Sequence, residues 1–498
     1  MASYTRTPNW ALPPQAHPPS SPPPAATFVP YRDTEKGLET PLLVPAPGYV
    51  PASYMAASPI PSTVARPRRS CARKFCLHLG HFILFTALIF FFLPNAYDRV
   101  KTFVTQTIHN GDVMQGTPAS AIFHPDCVDD ARWTNHDDEL DHDGHNHHAY
   151  QFRHLIKTTI DLPLNSDLLY FLSQGSLAHG AVEFVDDGKK GDDKVAVDVA
   201  FYYIHDVARD NIRVCRLQRD GNKNGVGIFS PDHLPPVHHD EYRTHFSVVV
   251  HLPNGEGDRH VYKALQTDMH IFTHTFRNLD NSAFFTSLNL KTTNAHVHFD
   301  SVSAGTAYVA TSNAHVDGKL TATELLDIHT TNGALKNEIT LVNNDTSKPT
   351  GLVLRTSNSV IISSVSLVST TEDKTGGAFE VTAHTSNAPI DVVFPNAPVD
   401  SLLTFKATSS NAHVRAKLHE TYEGSFELST GRWFPATVNY EEGVEDPAGK
   451  GRHRVVETRD YGRGHASGKV SWKADDAAMR TVGSVDLATS NSGIQLIL

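Results

Sequence analysis

Residues 288–335 state one motif three times at a fixed interval. It reads TTNAHV from Thr292, TSNAHV from Thr311 and TTNGAL from Thr330, and Asn294, Asn313 and Asn332 stand 19 residues apart. A recurrence this regular restricts the chain to folds made of stacked copies, because a unit of this length cannot bury its apolar face alone. Looser copies centre on Asn358, Asn387, Asn411 and Asn491, so that the last copy closes the chain.

Each copy has the same grammar. Six and four residues before the Asn stand apolar side chains such as Leu288 and Leu290, Leu326 and Ile328, or Val485 and Leu487. Two before it is Thr or Ser throughout, and three after it the apolar side resumes with Val297, Val316, Leu335, Ile361, Ile390, Val414 and Ile494. The alternation predicts a strand that stops, turns at the Asn and restarts. Asn tolerates left-handed backbone angles and bonds its own main chain, which suits a corner. Coils stacked about 4.8 Å apart bring successive Asn amides into line, where they can form a ladder. A leucine-rich repeat also carries an Asn, but three rather than four residues after its last core Leu and with a helical half-repeat that is missing here. The predicted architecture is therefore an all-β solenoid over residues 288–498. The later intervals of 26, 29, 24 and 80 residues imply loops and degenerate copies, FELSTGRWF around Thr430 among them.

Residues 150–287 read as further β-structure. Stretches such as KVAVDVAFYYI and HFSVVVHL are short, β-branched and bounded by Gly, Asn, Asp and Pro, with no long amphipathic helix between them. That excludes α/β folds. GSLAHGAVEF, from Gly175, has the Gly-bounded form of a turn between two faces of a coil. Cys127 and Cys215 can bridge in an oxidising compartment, but sequence does not show whether they are neighbours.

The first 149 residues differ in character. Sixteen of the 30 prolines precede residue 70, so residues 1–70 read as a disordered Pro-rich tail. Phe75 to Leu93 follow, 19 residues without a formal charge, which as a helix span about 28 Å, enough to cross a bilayer. Arg66, Arg68, Arg69, Arg73 and Lys74 precede this span and only Arg99 and Lys101 follow closely, so the positive-inside rule leaves the tail in the cytoplasm and sends residues 95–498 outside or into the lumen. This is a type II signal anchor rather than a cleaved signal peptide, since the apolar run starts far from the N-terminus. Cys71 and Cys76 at its cytoplasmic edge are palmitoylation candidates, equally readable as unmodified thiols. Residues 95–149 read as a stalk, with Val100, Phe103, Val104, Thr107 and Ile108 at helical spacing, and a His/Asp-rich linker. There His142, His145, His147 and His148 are weak metal ligands at best, since no fixed spacing presents two of them on one face.

Charge divides as well: residues 1–74 carry a balance of +5 and the remainder −16. An acidic body argues against nucleic acid as partner. No nucleophile elbow, P-loop, zinc pattern or other cofactor motif is present, and the expected metal and cofactor content is none. Asp300, Asp317, Asp327 and Asp391 flank the turns, none expected in register with another. His296, His315 and His413 share one repeat position and are expected as surface imidazoles. Asn344, in Asn-Asp-Thr, is the one glycosylation sequon.

The repeated T-[ST]-N-[AG]-x-[VIL] motif resembles the adhesin-type repeat domain of bacteria and fungi, over roughly residues 150–498. The whole layout resembles single-pass membrane proteins of filamentous and mushroom-forming fungi that carry it. The resemblance implies a β-solenoid body with an adhesion-like role, whose partners would be cell-wall polysaccharide or a surface protein. The alternative is a membrane-anchored polysaccharide lyase or hydrolase of β-helix type, which needs two carboxylates, or a carboxylate and a base, at fixed separation on one face.

Overall fold

A computed structural model describes residues 124–140, 152–188, 193–234, 242–253, 259–473 and 483–498. The Pro-rich tail, the apolar run, Cys71, Cys76 and His142, His145, His147 and His148 lie outside the described residues. Among those described, no helix is long and apolar enough to cross a membrane. Nearly all regular structure is strand, and one short helix occupies Asp206–Asp210.

The repeats stack as their alternation requires. Strands that precede a corner form one parallel ladder: Leu168–Gln174, His260–Met269, Ala283–Lys291, the second halves of Val297–Ala310 and Val316–His329, then Thr350–Arg355, Ala378–Thr385 and Leu402–Ser409. Strands that follow a corner form a second parallel ladder: Gly180–Gly188, Phe272–Phe276, the first halves of the same two long strands, then Leu335–Asn343, Ile361–Ser369, Ile390–Val393 and Val414–Lys417. Register holds from copy to copy: Val297, Val316, Leu335, Ile361, Ile390, Val414 and Ile494 pair in one unbroken row. All seven are buried and belong to one continuous apolar core. Each such side chain withdrawn from water contributes about 1.5–3 kcal/mol, which only neighbouring coils can supply.

Parallel stacking begins earlier than residue 288. The turn from Gly175 joins two strands that already pair with the next coil, as GSLAHGAVEF foreshadows, and Gly175 itself takes a φ of 96°. Upstream, antiparallel strands close both ladders. The end strands are Lys223–Phe229, parallel to Leu168–Gln174, and Thr244–Pro253, parallel to Gly180–Gly188; Arg213–Arg219 and Cys127–Asp130 cover the first, while Lys194–Tyr203 and His154–Pro163 cover the second. Cys127 and Cys215 are joined by a disulfide across this cap. Residues 124–140, inside the stretch read as stalk and linker, pack on the body: Thr134 and Asn135 pair with Lys157 and Ile156, and Asp137 accepts the Leu155 N–H at 2.8 Å. A carboxylate that finds a main-chain donor is tied down where composition alone reads as solvated linker.

The end of the chain is not the end of the stack. Gly483–Thr489 and Ile494–Ile497 slot between the coil of Leu402–Ser409 and Val414–Lys417 and a further coil formed by Gly424–Ser429 and Ala436–Asn439. The 80-residue interval before Asn491 thus contains the terminal coil, which is the FELSTGRWF copy, and a hairpin of His453–Gly462 and His465–Lys473 laid antiparallel against its first strand. The last copy closes the sequence, yet sits one coil inside the fold.

Phe184, Phe276 and Phe299 stack face to face in one column, with ring centroids 4.4 and 5.2 Å apart. Gly318 ends the column: it pairs with Phe299, its φ is 117°, and a Cβ there would lie 1.9 Å from the Phe299 carbonyl oxygen. Gly318→Ala is therefore expected to destabilise the body by about 3 kcal/mol. Urea unfolding checks this, and an unchanged midpoint would contradict the assigned backbone.

Candidate functional site

The corner comes first, because it positions everything on the outer surface. The seven Asn side chains form a continuous ladder along the stack. Asn313 donates through Nδ2 to Asn294 Oδ1 at 2.6 Å, Asn332 to Asn313 at 2.7 Å and Asn358 to Asn332 at 2.7 Å. Asn387 continues to Asn358 at 2.6 Å, Asn411 to Asn387 at 2.7 Å and Asn491 to Asn411 at 2.7 Å. A carboxamide carries one acceptor and one donor end, so it propagates such a chain where Asp cannot. The rows are fixed from inside by the Thr two residues earlier. Thr311 Oγ1 donates to the carbonyls of Thr293 and Ala295, and Thr330 Oγ1 repeats this on Ser312 and Ala314. Thr356 and Thr385 do the same. These hydroxyls are buried, and one of the two carbonyls that each meets, that of Thr293, Ser312, Thr331 or Ser357, also accepts two main-chain N–H groups of the next corner, so the hydroxyl joins a shared acceptor.

Asn332→Ala removes two rungs from an exposed chain and is expected to cost about 1–2 kcal/mol. Asn332→Asp, which keeps the shape but places a carboxylate against Asn313 Oδ1, should cost at least as much at pH 7 and recover on acidification. Thermal melts of both variants at pH 7 and 4.5 test the ladder; equal and pH-independent losses would contradict it.

Two residues beyond the corner, His296 and His315 stack with ring centroids 5.0 Å apart and planes within 3°. His413, at the same position, is exposed and makes no ring contact among those described. Four residues beyond the corner a single outer row crosses the stack: His298, Asp317, Lys336, Ile362, Asp391, Arg415 and Gln495 pair in register. The expectation that no Asp recurs in register is corrected here, since Asp317 and Asp391 share this row. Each stands four residues after its own Asn, Asn313 or Asn387, so aligning the copies on the corner brings the two into one position.

The densest part of this surface spans four coils. Arg277 bridges Glu183 and Asp300, the latter at 3.5 Å. His298 is clamped between Asp317 at 2.6 Å from Nδ1 and Asp300 at 3.0 Å from Nε2, and Asp317 also meets His315 at 3.4 Å. Burial pulls the His298 pKa down, but hydrogen bonds to Asp317 and Asp300 outweigh it and raise the value above the usual 6.5. For His296, burial dominates and the neighbouring His315 adds to it, so its pKa is lowered. An open depression beside this cluster is lined by Asn313, His315, Asp317, Asn332 and Lys336. Sequence reasoning missed His298 and Arg277, although the position four after the Asn, filled by His298, Asp317 and Lys336 in consecutive copies, carried the signal.

The other sequence candidates lie apart. Asp327 faces Arg355 at 3.7 Å on the outer side of the first ladder. Asn344 is exposed in the turn after Leu335–Asn343, beside Glu324, Asp345 and Lys348. Among the described residues no group of three or more His, Cys, Asp or Glu is arranged to hold a metal ion.

No protein-family model and no curated protein matches the chain. Two solved structures align with 68% of it. One, described as that of a candidate adhesin from Bacteroides fragilis, is 9% identical over 96% of its own length with a TM-score of 0.27. The other, described as a candidate cell adhesion protein from Clostridium sporogenes, is 8% identical over 98% of its length with a TM-score of 0.14. At these scores neither alignment carries an argument about fold or function.

Proposed function

We propose that this chain is a type II single-pass membrane protein whose body is a β-solenoid displayed outside the cytoplasm as an adhesin-like binding module. The observation that carries the binding reading is the outer row of His298, Asp317, Lys336, Asp391 and Arg415. Neighbouring members lie one strand apart, about 4.8 Å, along the stack, except that Ile362 intervenes between Lys336 and Asp391. Such a row offers polar groups of both signs over a long, nearly flat surface, which suits an extended polymer or a second protein surface better than a small molecule. The sequence features that support the anchor are the uncharged run Phe75 to Leu93 and the basic cluster before it. The exposed sequon at Asn344 is consistent with passage through the secretory route.

A second reading has one observation in its favour. The Asp300–His298–Asp317 clamp sets two carboxylates around one imidazole, the kind of grouping a polysaccharide-active enzyme uses. A panel of cell-wall polysaccharides separates the two. Binding predicts retention of the full chain without turnover, weakened by His298→Ala together with Lys336→Ala. Reproducible cleavage of any member, abolished by His298→Ala, would replace the binding reading. Protease treatment of intact microsomes tests the anchor separately: residues 95–498 should be protected and the Pro-rich tail removed, and the opposite pattern would reverse the topology.

A further inference from the structure

The terminal coil leaves one strand edge open. Ala436–Asn439 pairs with Ile494–Ile497 and, among the described residues, with no strand on its other side, although the companion strand Gly424–Ser429 is covered by the hairpin. Ile494 and Leu498 donate to the carbonyls of Pro435 and Asn439, so these residues and Thr437 face the neighbouring coil by alternation. The main-chain groups of Ala436 and Val438 point the other way. The Asn ladder also ends here, because Arg432 stands where the previous coil has Asn491.

Around this edge lies the largest concentration of exposed aromatic surface among the described residues. Trp433 is 86% exposed, Tyr440 45% and Phe434 37%. Natural sheets blunt an open edge with charge, Pro or a cover. This one has a single Pro435 at its entry and is bordered by apolar rings instead. Such a patch marks an interaction surface.

The charges at its two ends indicate the occupant. Arg432, stacked near Trp433 at 5.5 Å, precedes the strand, and Glu441 and Glu442 follow it. Neither Arg432 nor Glu442 has an ion-pair partner among the described residues. An edge with a cation at one end and anions at the other is complementary to itself when reversed. We propose that the full chain self-associates here: two copies join edge to edge, antiparallel, about a two-fold axis through Thr437. In this register Ala436 bonds with Val438 of the second copy, Phe434 lies opposite Tyr440, and Arg432 lies opposite Glu442. The contact is isologous, so it closes at two copies and does not propagate.

The test uses the full chain in mild detergent, with Cys71 and Cys76 replaced by Ser so that the remaining native thiols are those of the disulfide. Thr437→Cys places two thiols on the axis, at a pair that is not hydrogen-bonded across the strands, where side chains approach most closely. Mild oxidation should convert most of the protein to a covalent dimer, while Lys319→Cys, exposed in the middle of the stack, should give little. In sedimentation velocity, Arg432→Glu and Glu442→Arg should each weaken the dimer at least tenfold, and the double variant should restore it. Both lie outside the core, so their melting temperatures should match the parent. A Thr437→Cys yield no higher than that of Lys319→Cys, or single charge reversals that leave self-association unchanged, would overturn the proposal. A double variant no tighter than either single would overturn the register.

Discussion

Lowering the pH from 7 to 4 is expected to remove on the order of 6 kcal/mol from the stability of the β-body, about 3 kcal/mol through each of two buried histidines. His274 is fully buried within the stack. Its Nδ1 donates to the Phe272 carbonyl at 2.9 Å, and its Nε2 therefore accepts from Thr267 Oγ1 at 2.8 Å. His419 bonds Thr421 at 2.6 Å through Nδ1, while its Nε2 is buried with no partner. Burial lowers the pKa of both from 6.5 to about 4. The folded value lies below the unfolded one, so the unfolded chain takes up protons first. Stability is complete above about pH 6.5 and is lost as pH falls toward 4. His298 works in the opposite sense: its value is raised, so its contribution is fully present below pH 6.5 and fades as pH rises through the raised value, which offsets part of the loss on acidification. Urea melts at pH 7, 5.5 and 4 measure the slope, and His274→Gln with His419→Gln should remove most of it. An equal slope in the double variant would place the acid sensitivity elsewhere.

Replacing Cys127 and Cys215 together by Ser is expected to cost about 4–5 kcal/mol, the chain-entropy value for releasing a closed loop of this size. The two cysteines are 88 residues apart, and the bond ties the first strand, Cys127–Asp130, to Arg213–Arg219 at the end of the stack. That cap covers what would otherwise be an open parallel edge. Thermal melts with and without reductant, on parent and double variant, test this. The parent should lose stability on reduction and the variant should not respond; a parent indifferent to reductant would mean that the cap is held by its side chains alone.

The coil of Gly483–Thr489 and Ile494–Ile497 pairs with a coil on each side, and both of them lie before the hairpin in sequence. Contacts of such long separation carry a high closure cost and form slowly.

The repeating part of the body was legible in the chain because its signal is local. Apolar residues six and four before the Asn, Thr two before it and an aliphatic residue three after it report the inside and outside of a strand, whatever lies between copies. The row of buried Thr hydroxyls and the ladder of Asn amides follow once parallel stacking is granted. What could not be read was anything that depends on which copy lies next to which. The last repeat in sequence is the penultimate coil in space, since the loop after Val414–Lys417 builds the end coil before the chain returns to fill the gap. The outer row at four residues past the corner was legible as a shared position, since Asp317 and Asp391 each follow an Asn by four; only the structure shows that Lys336 and Ile362 stack between them in register. Residues 124–140 read as linker from composition, and only the partners offered by Leu155 and His154, distant in sequence, decide that Asp137 is held on the body.

By itself, then, the sequence determined an all-β body, the position and chemistry of the seven Asn corners and the face that forms the core, because period and side-chain type act within a few residues. Tertiary structure alone decided the order of the last coils, the closure of the cap by Cys127 and Cys215, the clamp on His298 and the open edge at Ala436–Asn439. Each of these depends on which segments distant in sequence come to lie side by side, and register between distant strands is set by the summed packing of both faces rather than by any local pattern.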